Sequence, residues 1–276
     1  MNPEHAQAHG KAQEGIKEVA NAITLMTEKW HGTPWAHFLH RWENVIFSWF
    51  IALVLIAVAL LGTRKRHLVP TPFQNFLEGV VETLENFILE VLGPRGKKFV
   101  PFVGTLFLYI LFQNLSGIIP GLKASTSSLN TTVALAVTVF FYVQWTGIRE
   151  NGILGYFDHL MGNPRDFIGW ILVPLNLPLH ILEEFIKPLS LSLRLFGNIL
   201  GEDALIASFV ALGILAGAFM HLPVGLPIQL PFMMLACITG TIQALVFALL
   251  CTIYISLMLP HEDHPHHQEP NKEVKH

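Results

Sequence analysis

Arg194 lies between Leu193 and Leu195, in a stretch with no other charged residue from Pro188 to Gly201. A cation on an apolar helix that crosses a bilayer costs from about 2.5 to more than 10 kcal/mol at the centre, so such residues are functional candidates by default. Arginine, unlike a buried lysine, cannot shed its proton. The charge is therefore permanent, and it can snorkel, sit in a buried ion pair, or act on a mobile anion. On an ideal helix Arg194, Asn198 and Glu202 fall at i, i+4 and i+8 on one side, with Glu202 about 12 Å away along the axis and Asp203 turned toward the other side. Neither carboxylate is an obvious partner within the helix, which leaves Arg194 to meet an anion elsewhere. Gln243, in the otherwise apolar stretch 240–250, is a second polar group that needs a partner. A helix-to-helix hydrogen bond and a functional role both fit it. Glu183, Glu184 and Lys187 either pair locally or border a channel open to the cytoplasm.

These residues need a membrane-spanning scaffold, and the composition supplies one. Of 276 residues, 52% are apolar and 13% charged, with a mean hydropathy of +0.49. A soluble domain carries about 25% charged residues, which argues against a cytosolic globular enzyme. The shortage is local: 204–260 contains no Asp, Glu, Lys or Arg, and 101–148 contains only Lys123. Each membrane helix needs about 20 mostly apolar residues. A net charge of -3 leaves no broad footprint for nucleic acid. Cys237 and Cys251 both lie in one apolar run, where they read as small apolar residues and neither as a disulfide framework nor as a metal site.

The chain then divides as follows. Residues 1–44 are polar and extracytoplasmic, with no basic start and short apolar core of a cleaved signal peptide. A first membrane helix covers 45–63 and ends at Arg64, Lys65 and Arg66, a cation cluster that belongs in the cytoplasm. Trp42 and Trp49 fit an interfacial aromatic belt at its outer end. Residues 64–100 form a cytoplasmic loop containing an amphipathic helix from Pro72 to Leu92. In it Phe73, Phe76, Leu77, Val80, Val81, Leu84, Phe87, Ile88 and Val91 recur at helical steps, with Glu78, Glu82, Glu85 and Glu90 between them. This helix lies on the membrane surface beside Arg95, Lys97 and Lys98, or packs on a partner subunit.

The second and third membrane helices occupy 101–148, as Pro101–Gly121 and Thr131–Ile148, and 149–166 is a cytoplasmic loop. Residues 167–260 are expected to form tilted C-terminal helices. Pro174, Pro178 and Pro188 disturb the first part, a long helical pattern runs from Leu189 to His221, and 226–259 is 34 residues without a charge. At 1.5 Å per residue that last run would cover about 51 Å, more than a ~30 Å hydrocarbon core, so it must tilt or break. The tail 261–276 is His-rich and cytoplasmic; His261, His264, His266 and His267 fit a solvated tail better than a metal site. The fold class expected is an all-α membrane protein of about five membrane helices plus a cytoplasmic amphipathic surface helix, with a long tilted C-terminal hairpin.

From Lys187 through Pro188, Leu189, Ser190, Leu191, Ser192, Leu193, Arg194, Leu195, Phe196 and Gly197 to Asn198, followed by Gly201, Glu202 and Asp203, the sequence closely resembles subunit a of bacterial and chloroplast F-type ATP synthases. A second match runs from Ile242 through Gln243 to Phe247, with Tyr254 further on. The resemblance covers most of the chain beyond about Trp42. It implies a non-catalytic stator subunit that forms two offset half-channels for protons against a rotating c-subunit ring, with Arg194 facing each ring carboxylate and opposing leakage. It also implies b-type peripheral stalk subunits and the catalytic head as partners, no cofactor, no metal, and a place in the bacterial plasma membrane among lipid. By the same resemblance Asn198 and Gln243 are polar positions near the arginine. Asp203, with Glu202, would serve the half-channel open to the outside. Glu183, Glu184, Ser190, Ser192 and Tyr254 are candidates for channel lining.

One position departs from the pattern. Many bacterial members carry a histidine seven residues before the glutamine, and here that position is Ala236. The relay must differ locally, and Glu202 is the candidate substitute. A secondary transporter is the rival reading, since it too uses intramembrane charges and broken helices, but it usually shows internal repeats and none is visible. A haem-binding subunit would need histidines within spans, whereas His180 and His221 lie near segment ends. No nucleophile and base at matching depth suggest an intramembrane protease.

Overall fold

A computed structural model of the chain describes residues 38–39, 41–63, 71–119, 121–162, 167–219 and 225–259. Among these there are six α-helices and no strand: α1 Glu43–Thr63, α2 Pro72–Leu92, α3 Val100–Ser116, α4 Leu129–Leu160, α5 Phe167–Phe219 and α6 Leu230–Met258. Short 3-10 turns at Gly93–Phe99 and Ser125–Ser127 precede α3 and α4. Five runs are long and apolar enough to cross a membrane: Glu43–Thr63, Pro72–Ser116, Leu129–Asp158, Ile171–Phe219 and Leu230–Met258. The chain is a multi-span helical membrane protein. The Arg64-Lys65-Arg66 cluster, Arg165, Asp166, His221, residues 1–37 and the tail from His261 lie outside the described residues.

Helix α2 forms where the apolar period predicts it. The Thr71 hydroxyl accepts from the Gln74 backbone N–H at 3.4 Å, Pro72 occupies the first turn, and Gly93 ends the helix at φ 64°, where its N–H reaches Leu89. Ile88 and Leu92 anchor its last turn in the core, whereas Phe73, Phe76 and Val81 stay exposed. The core itself is one cluster shared by α2, α3, α4, α5 and α6. Within it α3 runs along α6 and α4 along α5.

Helix α3 stops at Ser116 and not at Gly121, and α6 begins at Leu230; the larger differences from the sequence expectation lie in α4 and α5. Helix α4 continues beyond Ile148 to Leu160, bent at Gly152, whose φ of 71° and ψ of 167° are open to glycine and costly for other residues. Just before the bend the Asn151 amide donates to the carbonyl of Met258 at 2.7 Å and so fixes the end of α6. Helix α5 is the larger difference. Instead of separate segments on either side of Pro188, it is one 53-residue helix through Pro174, Pro178 and Pro188. Each proline removes one backbone donor, a loss that membrane helices tolerate where neighbouring helices and side chains satisfy the freed groups. At 1.5 Å per residue α5 is about 80 Å long and α6 about 43 Å, so both overshoot a perpendicular crossing and tilt is required.

The α5–α6 hairpin is held by backbone contact as well as by side chains. The Leu226 N–H donates to the Gly213 carbonyl at 3.0 Å, and Phe209 stacks on Phe232 with ring centres 3.7 Å apart. A Cβ on Gly213 would lie 2.2 Å from the Leu226 carbonyl oxygen. Gly213→Val is therefore expected to push the returning chain off α5, at a cost of about 1–3 kcal/mol. Lower recovery of the chain in detergent-extracted complex, with milder loss for a valine at the open Gly201, is the measurable outcome.

Candidate functional site

Helix α5 has two different sides around Arg194. Leu191, Ser192, Leu195 and Ile199 are buried against the core, and the Ser192 hydroxyl donates back to the Leu189 carbonyl at 2.9 Å. Ser190, Leu193, Arg194, Gly197 and Gly201 are exposed on the opposite side. A Cβ on Gly197 or Gly201 would meet nothing within 4 Å, so the surface beside the arginine is low and open. Arg194 makes no ion pair or hydrogen bond among the described residues. The ion-pair alternative finds no partner for the guanidinium among the described residues.

One turn along α5, the Asn198 amide donates to Glu202 Oε1 at 2.7 Å. Both side chains line a cavity of about 310 Å³ between α5 and α6, whose far wall includes Ala236 and Thr239. Thr239 lies against the Glu202 carboxylate, although its hydroxyl also donates to the Leu235 carbonyl at 2.9 Å. Ala236, the position that departs from the family pattern, thus lines the same cavity as Glu202. Asp203 is half-buried and is not part of this lining. Gln243 follows Thr239 by one turn and is buried, with no hydrogen-bond partner for its Nε2 among the described residues. Ala236, Gly240, Gln243, Ala244 and Phe247 make one continuous buried stripe of α6.

A second polar group lies toward the start of α5. Lys187 pairs with Glu184 at 2.5 Å and with Glu183 at 3.4 Å, and its ammonium stands 5.7 Å from the centre of the Tyr254 ring. The local pair considered for these three residues is formed. Two partners were not legible as site residues: Gln144 of α4 donates to Glu184 Oε2 at 2.6 Å and accepts from the Tyr156 hydroxyl at 2.5 Å. Gln144 is a lone amide in an apolar span, the same signal that drew attention to Gln243. Toward the other end of the bundle, the Asn114 amide donates to the Gly240 carbonyl at 3.0 Å and Asn114 Oδ1 accepts from Thr126 at 3.0 Å. Gln113 beside it is fully buried, and neither amide atom is paired among the described residues.

The residues matched by a known family span all six helices except the ends of the first and last: the ATP synthase A chain family matches residues 45–256. The chain belongs to that family. It is 48% identical over 257 residues to the ATP synthase subunit a of Protochlamydia amoebophila, a match that covers 93% of this chain and 95% of that protein. It is 43% identical over 219 residues to the ATP synthase subunit a of Solidesulfovibrio magneticus, covering 79% and 85% of the two chains. With the ATP synthase subunit a of Moorella thermoacetica the identity is 40% over 215 residues, covering 78% and 89%. As a member of the ATP synthase A chain family the protein is a non-catalytic membrane component of ATP synthase, with a general role in proton transport. The family match begins where α1 leaves the polar N-terminal segment, so residues 1–44 fall outside it.

Proposed function

We propose that this chain is the stator half of a rotary proton path, with Arg194 as the residue that couples proton passage to rotation. The observation that carries this reading is the exposed guanidinium, unpaired among the described residues, on the glycine-lined side of α5. A rotating ring of c subunits, each with one membrane-buried carboxylate, is the partner that such a surface suits. A deprotonated carboxylate passing Arg194 is attracted by a charge that cannot be neutralised by proton loss. A proton arriving by one access path cannot cross the cation directly to the other, so it must board the ring and travel round.

The two access paths are offset along α5. Glu202 in its cavity with Asn198 and Thr239, together with Asp203 and Gln243, supports the half-channel open to the outside. Glu183, Ser190, Ser192 and Tyr254 support the cytoplasmic side, where Glu184 is held by Lys187 and Gln144. The orientation follows from Arg64, Lys65 and Arg66 after the first span: N-terminus outside and C-terminus in the cytoplasm, in the plasma membrane of a bacterium. The b-type stalk subunits and the catalytic head complete the assembly that keeps the chain from turning with the ring.

The test is ATP-driven proton pumping by reconstituted complex carrying Arg194→Ala. Loss of pumping and of ATP synthesis with the ring still bound supports the reading. Normal coupled pumping ends it.

A further inference from the structure

Lys187 and Arg194 are seven residues apart on α5, which places them nearly in line along one side and about 10.5 Å apart along the axis. Both lie within electrostatic reach of Tyr254. A ring carboxylate drawn to this side of α5 would therefore meet two attractors, unless one were cancelled. The structure treats them oppositely. Arg194 is exposed and has no partner among the described residues, whereas the Lys187 side chain is 16% exposed and in contact with the Glu184 carboxylate, itself 13% exposed. Glu184 is in turn held from α4. Its second oxygen accepts from Gln144, whose own oxygen accepts from Tyr156, so the amide cannot flip without losing one of the two bonds. The Tyr254 ring of α6 closes over the ammonium. Three helices thus converge on neutralising one lysine.

We infer that Glu184, positioned by Gln144 and Tyr156, masks Lys187 so that Arg194 is the cation on this side of α5 that a ring carboxylate meets. Glu184 is then an electrostatic mask and not a proton carrier, and Gln144 and Tyr156 are positioning residues for it. The inference rests on the reading of Arg194 above. Glu183 also lies 3.4 Å from the ammonium but is farther and 57% exposed, which makes Glu184 the principal partner. The charge of Lys187 does harm when Glu184 no longer cancels it, because two unit charges this close compete for one anion in a low-dielectric setting.

The experiment compares ATP-driven pumping by reconstituted holoenzyme carrying Glu184→Gln with that of Glu184→Gln plus Lys187→Gln, with ring content measured in each preparation. The single substitution is expected to slow pumping about tenfold as ring carboxylates dwell at the exposed lysine, and the second to restore it to within about twofold of the unmodified complex. A double variant as slow as the single one overturns the proposal, because it makes Glu184 either a proton carrier or a purely structural group. Wild-type pumping by Glu184→Gln overturns it as well. Gln144→Leu provides a second route that leaves every charge in place: a loss of about threefold that Lys187→Gln reverses is expected, since removing a second member of a merely structural network would add to the damage. This pair decides if Glu184→Gln does not assemble. Arg194→Ala assayed in parallel separates the two readings: if it pumps normally the coupling role falls, and if it is inactive while neither double variant recovers, only the masking falls.

Discussion

Complex carrying Arg194→Ala is expected to assemble with its ring, hydrolyse ATP, and yet acidify reconstituted vesicles at no more than background rate. Assembly should survive because Arg194 contributes nothing to the packed side of α5, where Leu191, Leu195 and Ile199 hold the helix to the core. The energy at stake is that of the ion gradient, about 2.3 kcal/mol for each proton at 100 mV. Without the fixed cation a proton can pass between the offset paths, and that free energy is lost as leak. Two measurements separate the possible causes: pumping by fluorescence quenching, and passive proton conductance of the membrane sector under an imposed potential. Arg194→Lys is the informative companion. It restores a charge at the same place, but a lysine in apolar surroundings can lose its proton whereas the arginine cannot. Its deprotonated fraction grows as pH rises, so coupling by Arg194→Lys should be best at low pH and decline toward high pH. A flat profile at full coupling would mean that permanence of the charge is not what the position requires.

Much of this was legible in the sequence because membrane proteins state their constraints locally. A charge-free run of 57 residues from Ala204 to Pro260 can be only a few things in a bilayer, and an arginine among leucines is conspicuous for the same reason. The period of α2 was equally plain, since four glutamates fall between its apolar positions. What could not be read was the pairing of helices. Nothing in the spacing of Gln144 says that its amide meets Glu184, forty residues later, because the meeting depends on α4 lying along α5. The continuity of α5 was hidden for a different reason. A proline reports the loss of its own donor but not whether neighbouring groups satisfy what it frees, and three prolines in one helix invite a break that packing does not impose. Ala236 is the intermediate case: its departure from a family pattern was visible, and the cavity in front of it was not.

That cavity leads to the second large effect. Glu202→Gln together with Asp203→Asn is expected to slow proton flux about a hundredfold, the low end of what a positioned proton carrier contributes. Unchanged flux across pH would remove both carboxylates from the path. The single substitutions should differ. Glu202 lines the ~310 Å³ cavity with Asn198 and Thr239, and its Oε1 takes a 2.7 Å hydrogen bond from Asn198, so Glu202→Gln should cause the larger part of the loss. Gln keeps the size and the hydrogen bond acceptor but cannot exchange a proton near neutral pH, which makes the comparison one of chemistry and not of packing. Ala236→His then tests why this chain can do without a histidine. Placed on the opposite wall, an imidazole would point into the same space and can carry a proton between pH 5 and 8. In the Glu202→Gln background it should recover a substantial share of the flux, with a pH profile shifted toward that of imidazole. In the unmodified chain it should add little, because the carboxylate already serves the cavity. If Ala236→His instead rescued Asp203→Asn and left Glu202→Gln unaltered, the proton would be carried by Asp203, with Glu202 reduced to an acceptor that orients Asn198.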